Sequence, residues 1–279
     1  MAAAPVHNEM VEAPKLELYC LKGSPYSLRV KWALSLLQVR YAEKEHAPLV
    51  GEFPLRWRLG RWKPWQNVTV PIGFVKQEGG GELQLENGIE IVEWADTKVK
   101  ADGTTSLVPS SLREEIAYFC AVGDDLQDFG RKIFLEASWK DPSLMRAFVG
   151  EGPPDLALHV ASTISGTIMS FKYKSTMQGT VPQIREKMAE LQRLVVEKQE
   201  KVSSEKSRLV YLVGVSLTAA DIFVSTSLCG GPATKNKFTD RVDKATTSLS
   251  FDKAKEFPIL MQWAKDIVRH HGVDVDLLE

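Results

Sequence analysis

The order of strand-like and helix-like patterns restricts the fold of this chain more than any other feature. Residues 15–21 (KLELYCL) alternate between apolar and polar side chains and lie between Pro14 and Gly23, which predicts a strand. Residues 25–38 then repeat apolar side chains at helical spacing, which predicts a helix. Continued along the chain, these patterns give the order β-α-β-α-β-β-α within roughly the first hundred residues and only helices afterwards. Such an order predicts an α/β region followed by an all-helical one.

The other elements of the first region contain more helix and strand breakers. Predicted strands lie at residues 39–45, 68–75 and 81–86, and predicted helices at 52–63 and 87–98. Pro54 and Gly60 interrupt the helix at 52–63, and Pro71 lies inside the strand at 68–75. A polar, turn-rich stretch at 98–112 then predicts a linker between two domains.

Helical periodicity dominates the second region. Predicted helices lie at residues 113–137, 157–171, 181–202, 218–230 and 257–268, with a break at 151–156. The helix at 218–230 (TAADIFVSTSLCG) is apolar on nearly every side, which predicts a central buried helix. Residues 234–251 are polar, and we interpret them as a surface excursion.

Composition excludes several classes of function. The net charge is −1, so bulk electrostatics indicate neither a nucleic-acid partner nor an acidic membrane surface. No stretch is long and apolar enough to span a bilayer. The three cysteines lack paired spacing, which favours a reducing compartment, and we expect a cytoplasmic protein. Residues 1–14 lack the pattern of a secretory signal and are interpreted as a loose tail.

The joint between the first strand and the first helix reads G-S-P-Y-S at residues 23–27. Pro25 suits the first helical position, because an N–H group there has no partner within the helix. Ser24 then occupies the N-cap position, where a hydroxyl can accept a hydrogen bond from the helix. The same position faces the free N–H groups and the positive end of the helix dipole, which bind anions. Ser24 is therefore either a cap alone or a residue that faces an anionic ligand.

Four segments of the chain resemble those of the glutathione transferases. S-P-Y-S-L-R-V after a strand resembles the first βα junction, closest to the plant-type serine classes and the cysteine class, where S-P-F or C-P-F stands. VTVPIGF resembles the V-P strand start with its cis proline, and LENGIEIVEWAD resembles Glu-Ser-x-x-Ile-x-x-Tyr-Leu-Asp. YLVGVSLTAADIFVSTSL resembles the buried C-terminal helix, with Thr218 and Asp221 in its capping box. The order and spacing of the segments carry the resemblance, which runs from about Leu16 to about Val268.

The resemblance implies a fold and a reaction. The fold is a thioredoxin-like α/β domain at residues 15–98 followed by an all-helical domain at 111–279. The reaction is conjugation of the glutathione thiol to a small apolar electrophile, as in detoxification, with glutathione as co-substrate and no metal. The resemblance also implies a homodimer, because family members are commonly two-fold dimers.

The resemblance further implies a set of glutathione contacts. Ser24 would stabilise the thiolate by donating a hydrogen bond to the sulfur. Val70, next to Pro71, would pair its backbone with the peptide as an added strand does. Glu86 would bind the glutamyl ammonium and Asn87 the α-carboxylate, although Asn is also a common N-cap. The Lys that usually precedes V-P is absent. The candidates for the glycyl carboxylate are therefore Gln66, Asn67, Lys63 and Arg61.

Three other residues compete with Ser24 for the catalytic role. The hydroxyl of Tyr26 could form a hydrogen bond near the sulfur, although a side chain in the first turn of a helix more often packs against the sheet. Cys20 lies four residues before Ser24, off register from the cysteine of the cysteine class, and its alternative role is that of a small buried hydrophobe. Tyr19 lies near the position of the catalytic Tyr of other classes, although a Tyr in a strand ordinarily serves packing. The electrophile pocket is expected between the domains. Its predicted lining residues are Tyr26, Tyr118, Phe119 and Val122, with Trp57 or Trp62.

Three alternatives to conjugation stay open. The same scaffold could catalyse another glutathione-dependent reaction, such as isomerisation, ether or halide cleavage, peroxide reduction or thiol transfer, because fold does not determine function. A non-catalytic member would bind a ligand or partner through the same cleft, and the departures at Asn87 and before Val70 favour this class. A phosphate-binding protein is the most distant alternative, because G-S-P-Y-S lacks the Gly and Lys pattern of a P-loop.

Overall fold

The structure is a computed structural model that describes most of the chain. The described residues are 15–21, 23–46, 51–63, 66, 68–99, 105–145, 179–202, 209–229 and 239–272. The predicted tail at 1–14 and the predicted helix at 157–171, with the break before it, lie outside these residues.

A four-stranded mixed sheet forms the first region. Its strands are β1 (Leu16–Cys20), β2 (Tyr41–Glu45), β3 (Ile72–Lys76) and β4 (Glu82–Leu85), in the spatial order β2-β1-β3-β4. β1 runs parallel to β2 and antiparallel to β3, and β4 is antiparallel to β3. All four predicted strands are confirmed. β3 starts directly after Pro71 rather than at residue 68, because proline has no N–H group to donate to a ladder.

Helices cover both faces of this sheet. They are α1 (Pro25–Leu36), α2 (Glu52–Arg58) and α3 (Gly88–Val99). Alternate residues of β1 face opposite sides, so Leu16, Leu18 and Cys20 are buried in the main core with α1 and α3. The other face carries a smaller core in which Leu55 of α2 packs with β3. The first region is thus a thioredoxin-like layer arrangement, as the resemblance implies.

Helices are the only regular elements among the described residues of the second region. Its helices are α4 (Arg113–Lys140), α5 (Val181–Val202), α6 (Ala219–Cys229), α7 (Thr239–Leu249), α8 (Lys253–Glu256) and α9 (Pro258–His271). Two short 3₁₀ helices, Ser110–Leu112 and Pro142–Met145, flank α4. α6 lies at the centre, because it contacts α4, α9 and α1, and its residues 219–228 are all buried. The predicted central buried helix is therefore confirmed.

The predicted surface excursion at 234–251 contains a helix in its described part. Residues Thr239–Leu249 form α7, which contacts α4. Phe251, immediately after this helix, is buried and packs edge-to-face on Phe257 with ring centroids 6.0 Å apart. The polar composition of the segment concealed a helix that attaches to the second region along one side. Residues 234–238 lie outside the described chain.

Side chains of α1 connect the two regions. The indole Nε1 of Trp32 donates to the backbone oxygen of His271 at 2.8 Å. The buried guanidinium of Arg29 pairs with Asp124 of α4 and lies over the ring of Phe223 at 4.0 Å. These contacts anchor the first helix of the α/β region in the helical region. In the part of the chain that the structure describes, no helix combines the length and apolar character that a membrane span requires.

Candidate functional site

The sheet register gathers three of the predicted ligand segments at one end of the sheet. Leu18 of β1 is paired with Gly73 of β3, which in turn is paired with Leu85 of β4. Because β3 is antiparallel to both neighbours, the carboxyl ends of β1 and β4 lie beside its amino end. The segments beyond this row are Ser24 after β1, Val70 and Pro71 before β3, and Glu86 and Asn87 after β4. The amino ends of α1 and α3 therefore lie at the same end of the sheet.

Ser24 is the N-cap of α1 through its backbone and not through its side chain. Its backbone is extended, with φ −74° and ψ 124°, and its carbonyl accepts from the Leu28 N–H at 2.9 Å. Among the described residues of α1, no N–H group donates to its hydroxyl. The hydroxyl of Ser27 instead accepts from the Leu21 N–H at 3.1 Å. The interpretation that Ser24 serves only as a side-chain cap is therefore wrong.

The segment before β3 presents backbone groups at the edge of the paired region. The Val70–Pro71 peptide is cis, as the resemblance implies. The ladder between β1 and β3 ends at the pair Tyr19 and Ile72, so Val70 lies beyond it. Within the described chain, neither backbone group of Val70 has a hydrogen-bond partner. A peptide lying alongside this residue would find both a donor and an acceptor.

The amino end of α3 is closed by a pair of its own side chains. The Asn87 side-chain oxygen accepts from the Glu90 N–H at 2.9 Å, and its Nδ2 donates to Glu90 Oε1 at 2.6 Å. The other Glu90 oxygen accepts from the Glu86 N–H at 2.8 Å. Asn87 thus fulfils its capping role, with Glu90 as the reciprocal partner. Sequence reasoning overlooked Glu90, although an Asn followed three residues later by Glu is a capping signal.

The spacing of this segment shifts its match to the family motif by one residue. In the motif Ile follows Ser by three positions, whereas Ile91 follows Asn87 by four. Gly88 therefore stands in the Ser position and Asn87 in the Glu position, with Glu86 one residue before the motif. A Cβ atom at Gly88 would lie 3.2 Å from both Phe223 Cζ and Val30 Cγ2, so close packing favours glycine there. The helix end has no side-chain hydroxyl at this position.

Arg61 reaches the same end of the sheet from α2. Gly60 has a φ of +66°, and its N–H donates to the Trp57 carbonyl at 3.1 Å. The N–H of Arg61 donates to the Arg56 carbonyl at 2.9 Å, which completes a helix-ending turn that favours glycine. The guanidinium of Arg61 then forms an ion pair with Glu86. Arg61 therefore lies at the predicted glutamyl subsite, not at the glycyl subsite for which it is a candidate.

Gln66 belongs to a turn that Arg56 holds in place. Arg56 Nη1 donates to the carbonyl oxygens of Lys63 and Gln66 at 3.1 and 2.9 Å. The side-chain oxygen of Gln66 accepts from the Lys63 N–H at 3.1 Å. The amide Nε2 of Gln66 has no partner among the described residues, so it can donate to a ligand. Asn67 lies outside the described chain.

Two of the three residues that compete with Ser24, Tyr19 and Cys20, point elsewhere or are inaccessible, and the third, Tyr26, binds Asp128. The hydroxyl of Tyr19 accepts from Arg58 Nη1 at 3.2 Å, and its ring packs edge-to-face on Phe74 at 5.5 Å, on the α2 face of the sheet. Cys20 is fully buried, and burial raises the pKa of its thiol to about 12. A thiol with that pKa is protonated at neutral pH and is a poor nucleophile.

Cys20 is expected to resist alkylation in the folded protein. At mildly alkaline pH its thiolate fraction is on the order of a thousandfold below that of a free cysteine, and the side chain is inaccessible. Cys120 is also buried and its pKa is raised by burial, whereas Cys229 is half-buried. Mass spectrometry after treatment with iodoacetamide should find Cys229 modified first, and all three cysteines modified in denaturant. Rapid labelling of Cys20 in the native protein would contradict this assignment.

The predicted apolar wall of an electrophile pocket needs correction. Phe119 and Val122 are buried in the main core, and Tyr118 is 52% exposed beside Phe119. The hydroxyl of Tyr26 donates to Asp128 Oδ1 at 2.5 Å, and Arg131 lies 4.5 Å from its ring. The four residues therefore do not form one surface, and Tyr26 meets polar side chains of α4. The last two candidates, Trp57 and Trp62, are exposed and pack edge-to-face on each other at 4.5 Å.

The chain is similar in fold to several proteins of solved structure. No family model and no curated protein sequence matches the chain. The yeast prion protein Ure2p, solved in complex with glutathione, matches 92% of this chain and 90% of its own at 14% identity, with a TM-score of 0.57. A glutathione S-transferase from Rhodospirillum rubrum F11 matches 91% and 87% at 18% identity, with a TM-score of 0.50. The chain has the glutathione transferase fold.

The glutathione transferase fold confirms the predicted order of domains. A thioredoxin-like α/β domain precedes an all-helical one, and the likeness covers nine-tenths of the chain. Ure2p is also solved with S-hexylglutathione, and that structure has a TM-score of 0.56 against this chain. The assignment to the serine or cysteine classes and the domain limits 15–98 and 111–279 stay predictions.

Proposed function

We propose that this protein binds glutathione at the end of the sheet where Ser24, Val70 and Glu86 lie, and transfers its thiolate to a small electrophile. The observation that carries the proposal is the state of Ser24. Its hydroxyl lies at the positive end of the α1 dipole and is not used by the helix backbone among the described residues. A half-buried donor in that position suits an anionic ligand atom such as a thiolate sulfur.

Stabilising a thiolate is the chemical task that such a donor can perform. A free thiol has a pKa near 8.5, so it is mostly protonated at neutral pH, and only the thiolate is a strong nucleophile. A charge-assisted hydrogen bond contributes about 1.5–3 kcal/mol. At about 1.4 kcal/mol per pKa unit, Ser24 would lower the pKa of the bound thiol by roughly one to two units. Ser24 itself stays neutral, as an oxyanion-hole donor does.

The peptide part of glutathione would lie along the same end of the sheet. Val70 would pair its backbone with the cysteinyl residue as an added strand, and Glu86 would bind the glutamyl ammonium. Gln66 would donate its Nε2 to the glycyl carboxylate, with Asn67 as the neighbouring candidate. Support comes from the two Val70 backbone groups and the Gln66 amide, all of which lack partners among the described residues.

The electrophile would lie next to the sulfur, where Tyr26 of α1 meets α4. Tyr26, Asp128 and Arg131 make this region more polar than the sequence predicts. A small electrophile with a polar substituent would therefore fit better than a wholly apolar one.

We also propose a cytoplasmic homodimer. Phe53, Trp57 and Trp62 are exposed around α2, and soluble proteins seldom leave a large apolar patch uncovered.

A non-catalytic protein that binds a ligand or partner through the same cleft is the second candidate. The amino end of α3 favours it, because Gly88 supplies no hydroxyl and Glu90 places a carboxylate there, which makes this end of the site less suited to glutathione as a co-substrate. Binding of glutathione without turnover of any electrophile would support this candidate. Other glutathione-dependent reactions use the same thiolate and depend on Ser24 in the same way.

Replacing Ser24 with Ala is expected to lower kcat/KM for a chloro-nitroaromatic substrate by about thirtyfold. The reason is the loss of one hydrogen bond to the thiolate, worth about 2 kcal/mol. The pKa of bound glutathione should rise by about one to two units, which thiolate absorbance in the ultraviolet measures directly.

Ser35→Ala is the matched control, because Ser35 lies toward the other end of α1. It should leave both the turnover and the pKa unchanged. Tyr19→Phe should also leave turnover unchanged, since the Tyr19 hydroxyl binds Arg58 on the face of the sheet that α2 covers. The catalytic role would move to Tyr19 if its variant lost turnover while Ser24→Ala kept it.

A further inference from the structure

We propose that Arg61 and Glu86 together bind the α-amino-acid end of the glutamyl residue, the carboxylate on Arg61 and the ammonium on Glu86. The proposal rests on glutathione binding and adds a binding residue, Arg61, to it. It also moves the glutamyl carboxylate away from the amino end of α3, where the resemblance places it.

The amino end of α3 is poorly suited to a ligand carboxylate. Asn87 uses both polar atoms of its amide within the helix end, one on the Glu90 N–H and one on the Glu90 carboxylate. Glu90 also accepts from the Glu86 N–H. A second carboxylate at this position would find the Glu86 and Glu90 N–H groups already paired and would be repelled by the charge of Glu90.

The ion pair beside it offers the complementary pattern of charge. Arg61 and Glu86 are in contact, and their side chains are 27% and 42% exposed, so a ligand can reach both. An α-amino-acid group carries its ammonium and carboxylate on one carbon atom. It can enter between the two side chains with each of its charges against the opposite one. Opening the existing pair costs little, because exposed ion pairs contribute little to stability.

The backbone presents Arg61 at the place where the group would bind. The turn at Gly60 ends α2. The hydrogen bond from the Arg61 N–H to the Arg56 carbonyl then holds the backbone of Arg61 in place after this turn. A guanidinium is a planar donor that can bind both oxygens of a carboxylate. Glu86 follows β4 directly, so the two binding side chains come from two separate, anchored segments.

Calorimetry with two ligands tests the proposal. The ligands are glutathione and 4-aminobutyryl-cysteinylglycine, which lacks only the glutamyl α-carboxylate. Arg61→Gln should weaken glutathione binding by about tenfold or more and change binding of the second ligand by less than about twofold. Arg61→Lys, which keeps the charge, should recover part of the affinity for glutathione. Glu86→Gln should weaken binding of both ligands, because both carry the ammonium.

Arg113→Gln is the matched control. Arg113 forms a similar surface ion pair with Glu93, at 2.7 and 2.8 Å, and its removal should leave binding of both ligands unchanged. Unchanged glutathione binding in Arg61→Gln overturns the proposal. So does an equal loss for both ligands, because Arg61 would then only shape its turn. If the wild-type protein binds neither ligand, the proposed function itself fails, and this result is distinct from both others.

Discussion

Replacing Asp221 with Ala is expected to lower the free energy of unfolding by about 4 kcal/mol. Asp221 is fully buried in the first turn of α6. Its carboxylate accepts from the Leu212 N–H at 2.7 Å, from the Thr218 N–H at 2.9 Å and from the Thr218 hydroxyl at 2.9 Å. The substitution leaves three buried donors without partners, and each costs about 1–3 kcal/mol.

Asp221 lies where several elements meet, so the loss of its hydrogen bonds is expected to destabilise both regions of the fold. Its carboxylate connects α6 to the chain near Leu212, which is itself fully buried. α6 contacts α4, α9 and α1, so it joins the helical region to the α/β region. The Leu107 carbonyl accepts from the Ala219 N–H at 2.9 Å, which adds the segment before α4 to the same junction.

Denaturant unfolding of Asp221→Ala and Asp252→Ala measures the effect against a matched control. Asp252 is the N-cap of α8 and accepts from the Lys255 N–H at 3.0 Å, but it is exposed. Loss of such a cap costs about 1 kcal/mol. Equal destabilisation by the two substitutions would show that Asp221 acts as a cap only and would contradict the prediction.

Local sequence patterns were sufficient where neighbouring residues determine the structure. The alternation in β1, the Ser-Pro start of α1 and the Thr218-to-Asp221 spacing each act within a few residues. For the same reason the order of elements, and with it the fold, could be predicted. The capping pair of Asn87 and Glu90 was equally readable from its spacing, but the ligand interpretation of Asn87 concealed it.

The rest of the site depends on contacts between residues far apart in the chain. Arg61 meets Glu86 across 25 positions, and Tyr26 meets Asp128 across 102, so no local pattern pairs them. Helical periodicity places Phe119 and Val122 on one apolar face, but periodicity does not say whether that face meets the core or a cleft. The packing of α4 on α6 decides that question in favour of the core.

That packing requires a glycine, and its replacement gives the second large effect. Gly123→Ala is expected to lower the free energy of unfolding by about 3 kcal/mol. A Cβ atom at Gly123 would lie 3.0 Å from the backbone C and O of Phe223 in α6. The Ser227 hydroxyl also donates to the Gly123 carbonyl at 2.8 Å, which holds the two helices together at this point. Backbone atoms cannot move aside as the tip of a side chain can, so α4 and α6 would have to separate.

Gly130→Ala in the same helix isolates this steric cost. A Cβ atom at Gly130 would meet no atom within 4 Å among the described residues. Alanine is a better helix former than glycine by about 1 kcal/mol, so this variant should be slightly more stable than the wild type. Chemical denaturation of the two variants should therefore separate them by about 3–4 kcal/mol. If both substitutions stabilised the protein, α4 and α6 would be farther apart in solution than the contact at Gly123 requires.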